Sequence, residues 1–228
     1  MPATTLAVFR QTRLNVDLGL ITSTDATGDV DVSFGTVAER SQAIKVAFAR
    51  LWPHMARLVL QSVTAVASQI DYTLTAIRDV EVIELLDTSG IPVRDEIRNA
   101  RVLYDETTVG TEVRRVRLPA AAVPGTTPTL RVVGYVPYKS EFSGESDTLD
   151  IPVELEWVPT IGARMEVYRR QLNKRANYQQ FANLSRDTDV SVAELRSMYL
   201  DARSEFLEAI SDHRRDFKVG RAARFTPA

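Results

Sequence analysis

The sequence predicts an α+β fold: a helical bundle built from N- and C-terminal helices, with an inserted antiparallel β-sandwich or barrel-like module. Three observations predict it. Apolar residues recur at helical spacing near both ends of the chain. Between about Arg57 and Val136 the period drops from 3.6 to 2, with β-branched residues enriched. The carboxyl-terminal helices are amphipathic and need partners for their stripes. Domain termini usually lie close together, so those partners are expected in the amino-terminal helices. The expected division is 1–56 for the N-terminal helices, 57–148 for the β-domain, 149–218 for the C-terminal helices and 219–228 for a C-terminal arm.

Residues 4–14 read as a first helix, with Leu6 and Phe9 apolar and Arg10 or Arg13 polar. The polar stretch Thr22–Asp29 comes next as a linker. Its Asp25 and Asp29, with Asp31, lack the ligand series and closing Glu of a calcium loop, and read as a solvated loop. Thr36-Val37-Ala38-Glu39 is a capping box that opens a second helix. Its stripe runs through Val37, Ala43 or Ile44, Ala47 or Phe48, Leu51 and Met55; Trp52 reads as core, and Pro53 kinks or ends the helix.

Six strand-like segments come after it: 58–66, 72–77, 79–85, 101–104, 112–118 and 129–136. Thr88–Pro92 and Val109–Thr111 are turns, and Ala120–Pro128 is a longer loop, giving five to seven antiparallel strands. Tyr138–Leu149 is an acidic loop. Asp150 and Pro152 suit a helix cap and first turn, and Pro159 is expected to break or kink that helix. The stripe resumes at Val158, Ile161, Met165 and Leu172. The last helix has the clearest start. Ser191-Val192-Ala193-Glu194 is a second capping box, and Leu195, Met198, Tyr199, Ala202, Phe206, Ala209, Ile210 and Phe217 form its stripe.

At 228 residues the chain is long enough for one large domain or two small ones. A net charge of −2, with 25% charged residues of both signs, argues against a surface that coats nucleic acid generically. Without cysteine there is no disulfide framework and no thiolate metal site. No signal peptide or membrane span is expected.

No catalytic pattern emerges, and the expectation is that the chain is not an enzyme and holds no cofactor or metal. His54 and His213 stand apart from any carboxylate at metal-ligand spacing. There is no HExxH, GxSxG, Walker A or GxGxxG. Ser143–Asp147 offers hydroxyls and acids without a neighbouring histidine, and Glu154 and Glu156 are placed on opposite helical faces.

Two charge anomalies remain. Between Lys139 and Glu156, the acids Glu141, Glu145, Asp147, Asp150, Glu154 and Glu156 stand against Lys139 alone, for a local charge of −5. From His213 onward, Arg214, Arg215, Lys218, Arg221 and Arg224 against Asp216 give +4. The basic end has three readings: cations that complement a helix dipole, an extended arm from Val219 to Ala228 that docks on a partner through Phe225 and its basic residues, or DNA contact. The acidic loop, through Glu141, Glu145 and Asp147, could also meet this tail between neighbouring copies.

Two N-terminal helices, a β-insert, an acid-Pro segment, a helix carrying Gly162–Arg169 and a long capped helix resemble the head-to-tail adaptor (connector) proteins of tailed bacteriophages. The run Leu149–Ala163, with its Pro-acid-apolar pattern and Gly-Ala helix, is the most similar piece, and the helix from Thr36 to Leu51 is similar to the family's second helix. The resemblance implies a virion protein at the neck, assembled in the host bacterial cytoplasm. It implies a homo-oligomeric ring, commonly of twelve copies, that binds the portal, continues the DNA channel and gives the tail a docking surface. It makes 221–228 the portal-binding arm, with Arg214, Arg215 and Lys218 leading into it. DNA would pass through the lumen without sequence-specific binding. A neutral or acidic lumen is expected, with most arginines at subunit interfaces, because phosphate–Arg contacts would retard passage. A tail terminator or tail-completion protein, and a carbohydrate- or peptide-binding β-module, remain as alternatives.

Overall fold

The computed structural model describes residues 4–20, 34–75, 77–94, 97, 101–108, 111–120, 124, 129–179 and 191–222, with side chains described except at 94, 101–114, 175–179 and 213–222. It divides into two compact units, one taking in Met1–Met55 and Tyr138–Val219, the other carrying Ala56–Pro137. The unit boundary therefore falls before Tyr138, and the acidic loop expected in the β-domain belongs to the helical unit.

In the helical unit, the Thr5 hydroxyl accepts from the Val8 N–H and starts α1 (Leu6–Phe9). The helix continues without a break through a π-turn (Arg10–Leu14) into α2 (Asn15–Asp17), three residues beyond its expected end. The capping box at α3 (Val37–Leu51) is complete: Glu39 N–H donates to the Thr36 hydroxyl at 3.3 Å, and Thr36 N–H donates to the Glu39 carboxylate at 2.9 Å. Trp52 ends α3 in an extended conformation, as the residue before a proline should. Its side chain is half-buried rather than core.

Pro159 does not break its helix. A 3-10 turn (Val153–Leu155) precedes α4 (Trp157–Gln179), so the helix starts at Trp157 rather than near Pro152, and Pro159 falls in its first turn. There a backbone N–H has no intrahelical acceptor, and a proline costs nothing. Asp150 caps no helix; its carboxylate accepts from the Lys139 N–H at 2.8 Å. The last helix, α5 (Val192–Ala222), begins where Glu194 N–H donates to the Ser191 hydroxyl at 3.1 Å.

One apolar core joins both ends of the chain. Leu6, Phe9 and Leu14 meet Ile44, Phe48 and Leu51 of α3, Ile161, Met165 and Tyr168 of α4, and Leu195, Ala202, Phe206 and Ile210 of α5. Gly162 marks the tightest crossing: a Cβ there would stand 2.7 Å from the Phe206 ring and 3.1 Å from Ala47 Cβ. Its missing side chain is what lets α3, α4 and α5 converge.

The β unit is entirely antiparallel in its strand pairs. One sheet orders β1 (Arg57–Thr64), β7 (Thr129–Val136), β3 (Asp79–Leu86) and β4 (Pro92–Arg94); the other orders β2 (Asp71–Leu74), β6 (Thr111–Arg117) and β5 (Arg101–Thr108). Ile83, Leu130 and Val132 of the first sheet share a core with Tyr72, Leu74 and Val116 of the second, which makes a small sandwich. Strand β4 was not expected; it starts at the last residue of the expected turn, and its Pro92 is tolerated because β4 is an edge. Gly134 fits a register shift in β3 between Val80 and Val82; a Cβ there would be 2.4 Å from the Asp79 carbonyl oxygen and from Ile77 Cγ2.

Candidate interaction site

The acidic loop is a strap over the start of the chain. Leu6 N–H donates to the Asp147 carbonyl at 2.9 Å, Ala7 N–H to the Glu145 carbonyl at 3.0 Å, and Leu149 N–H to the Thr4 carbonyl at 2.8 Å. The strap thus supplies acceptors to helix-start N–H groups that have none within the helix. Lys45 of α3 reaches the Phe142 carbonyl at 2.6 Å, and Phe142 packs edge-on against Phe48. Buried Arg10 donates to the Ser41 hydroxyl at 2.8 Å and pairs with Glu145, and Ser41 donates to the same carboxylate at 2.8 Å.

Of the three acids expected between copies, two are therefore engaged within the chain. Asp147 accepts from the Ser143 N–H at 2.7 Å, from the Ser143 hydroxyl and from Lys139; these bonds, the backbone one foremost, hold its carboxyl below the usual range. Glu141 is exposed.

Two buried glutamates have roles that their sequence pattern does not announce. Glu156 lies at 2% exposure and accepts from the Thr4 hydroxyl at 2.7 Å and from Arg13 Nε at 3.0 Å. Glu166, at 0% exposure, is ringed by three arginines. Arg169 bonds both its oxygens (2.9 and 2.6 Å), Arg170 Nε lies at 3.2 Å, and Arg50 Nη2 of α3 lies at 3.2 Å. Burial pushes the Glu166 carboxyl up, but the arginine hydrogen bonds and charges outweigh it and hold the pKa below its ordinary value. The cluster keeps a surplus of two positive charges, and its three guanidiniums are partly exposed. No sequence expectation covers this cluster; the i,i+3 and i,i+4 spacing of Glu166 to Arg169 and Arg170 is the signal that could have found part of it, while Arg50 has no such signal.

On α5 the charges segregate. Glu194, Asp201, Glu205, Glu208 and Asp212 are exposed and recur at helical spacing along one flank. Arg196 and Arg203, also exposed, share the opposite flank with Tyr199, and exposed Leu200 and Leu207 lie beside them. Arg164 of α4 meets the acidic flank, pairing with Glu205 and with Asp17 at 2.9 Å. Burial raises the Asp17 carboxyl; Arg164 opposes this and Glu205 adds to it.

Helix α5 continues to Ala222, so Val219–Ala222, expected as the start of an extended arm, is helical. The backbone at Arg214, Arg215, Lys218 and Arg221 belongs to that helix, while their side chains, and all of Arg224 and Phe225, lie outside the described residues. Among the described residues no group of three or more His, Asp or Glu is placed to hold a metal ion. No helix among them is long and apolar enough to cross a membrane.

Two of the solved structures that resemble the chain come from gene transfer agent particles. One is described as the virion of a native gene transfer agent particle: 17% identical, covering 86% of this chain and 89% of that one, with a TM-score of 0.30. The other is the neck of an empty gene transfer agent particle: 17% identical, covering 85% and 86%, with a TM-score of 0.28. No protein-family model matches, and no curated protein matches. At these TM-scores the likeness carries no argument, and function has to be argued from the chain's own residues.

Proposed function

We propose that this chain is a structural protein of a tailed-phage virion, one subunit of the head-to-tail adaptor ring at the neck. The observation that supports it most is architectural. Residues from Leu6–Met55 and Tyr138–Ile210 close into one helical core, and an antiparallel sandwich is inserted between them. That is the arrangement on which the resemblance to the adaptor family rests. The surface fits assembly as well. The two flanks of α5 differ in sign, so neither is complementary to itself, and association through them is head-to-tail rather than two-fold.

In this reading the ring holds about twelve copies, as the resemblance implies, continues the DNA channel and offers the tail a docking surface. The basic C-terminal stretch carrying Arg214, Arg215, Lys218, Arg221, Arg224 and Phe225 is the portal-binding element. The protein assembles in the host bacterial cytoplasm and resides in the virion neck.

Negative-stain imaging of the purified chain, alone and with portal complexes of its own particle, tests this. Rings with a central opening, or decoration of the portal, are expected. A chain that stays monomeric in both conditions overturns the proposal. Cross-linking in intact particles separates it from a tail-completion role, which would place the contacts on the tail tube instead.

A further inference from the structure

The arginine cluster around Glu166 has more capacity than Glu166 uses. Four guanidinium nitrogens converge on one buried carboxylate, and three guanidiniums carry more N–H donors than that carboxylate can accept from. Arg50, Arg169 and Arg170 have side-chain exposures of 37%, 45% and 28%, so the surplus charge is presented to solvent from a pre-ordered array.

The opposite side of the same unit carries the complement. Successive helical residues turn by about 100°, so on α4 Arg164, which touches the acidic flank through Glu205, lies nearly opposite Glu166. On α5, Tyr199 is the residue close enough to Arg169 to interact with it electrostatically, and it faces away from the row of Glu194, Asp201 and Glu208. One copy therefore cannot bring its own basic and acidic flanks together. A second copy can.

We propose that the Arg50–Arg169–Arg170 cluster of one copy receives Asp201 and Glu208 from the acidic flank of α5 in the next, as the repeating contact of a head-to-tail assembly. This rests on the ring reading and names its interface. A second copy is favoured over nucleic acid because the fit is to discrete carboxylates. Along 191–212 of α5 five acids stand against two arginines, so the flank offered to the cluster is a row of carboxylates. The exposed Leu200 and Leu207, on the basic side of α5, supply apolar area to the same contact.

The test uses the full chain in sedimentation velocity at about 50 mM and about 500 mM salt, since contacts between exposed charges are screened over that range. Wild-type association is expected to weaken with salt. D201K/E208K alters exposed side chains only, and R169Q/R170Q leaves Arg50 on Glu166; each is expected to weaken self-association roughly tenfold or more. Mixed together, the two variants are expected to form a one-to-one dimer that does not grow, because each retains one intact flank. If wild type assembles and D201K/E208K assembles equally well, the inference is overturned while the ring reading stands. If wild type stays monomeric even with portal present, both fall. If R169Q/R170Q loses binding to a DNA duplex but not self-association, the cluster is a phosphate site and the inference is overturned.

Discussion

The helical unit and the β unit are held together by different means. In the helical unit, buried polar side chains tie elements far apart in sequence: Arg10 to Ser41 and Glu145, Glu156 to Thr4 and Arg13, Glu166 to Arg50. In the β unit, the shared core is apolar apart from the Tyr72 hydroxyl, and two of its ion pairs, Arg117–Asp71 and Arg131–Glu84, are partly exposed. A strand's position is fixed by ladder register and face alternation. Helices can slide and rotate against one another within an apolar interface, and buried charges with few permitted partners limit that freedom. The specificity role of such groups holds in some proteins and not others, and substitution is the way to decide it for this one.

The largest expected effect is in the β unit. Gly134→Val should cost about 4 kcal/mol, because its Cβ would meet the Asp79 carbonyl oxygen, which is backbone at the β3 register shift and cannot yield as a side chain can. Loss of hydrogen-exchange protection should appear in β3 and β7 and not in α3 or α4. Gly162→Ala should cost less, since the nearest obstacle is the edge of the Phe206 ring. Equal costs for alanine at both positions would remove the contrast between rigid backbone and yielding side chain.

Next comes Glu166→Gln. At neutral pH it should cost about 3 kcal/mol, the low end for breaking a buried ion pair, because the three arginines can rehydrate. The folded-state pKa of Glu166 is depressed below its ordinary 4.5, so its contribution is full above that value and is lost as pH falls through the lower, folded one. The difference between wild type and variant in urea unfolding should therefore shrink in acid. A pH-independent difference would mean that shape, not charge, is what Glu166 supplies.

Removing the reciprocal cap with Thr36→Ala should cost about 1 kcal/mol and fray the start of α3, read as faster amide exchange at Glu39. The smallest effect is expected at Arg117→Ala, whose bidentate partner Asp71 sits at an exposed strand pair; the urea midpoint should not move measurably. A clear destabilisation there would show that the β unit also leans on its charges.

Legibility in the sequence divides along the same line. Periodicity located the strands, and capping chemistry located the starts of α3 and α5, because both are local patterns. Joining of the two chain ends was legible from unpartnered stripes. The three-residue β4 is too short to show a period, and Pro159 misled because a proline is harmless in a first helical turn but disruptive later. The candidate site was less legible. Arg169, Arg170 and Glu166 are neighbours on one helix, but Arg50 joins them only through the packing of α3 on α4. Glu145 read as a surface acid since its partners Arg10 and Ser41 lie 135 and 104 positions away.

The strap across the first helix sets an order of events during synthesis. Leu6 and Ala7 hydrogen-bond to carbonyls of Asp147 and Glu145, and Leu149 to Thr4, so the start of the chain cannot complete these bonds until the ribosome has released the strap. By then the whole sandwich sequence has been made. Leu6 and Phe9 can meet Phe48 of α3 as soon as it is made, but their partners from α4 and α5 come only later, and a nascent chain stalled before Tyr138 leaves part of this core uncovered.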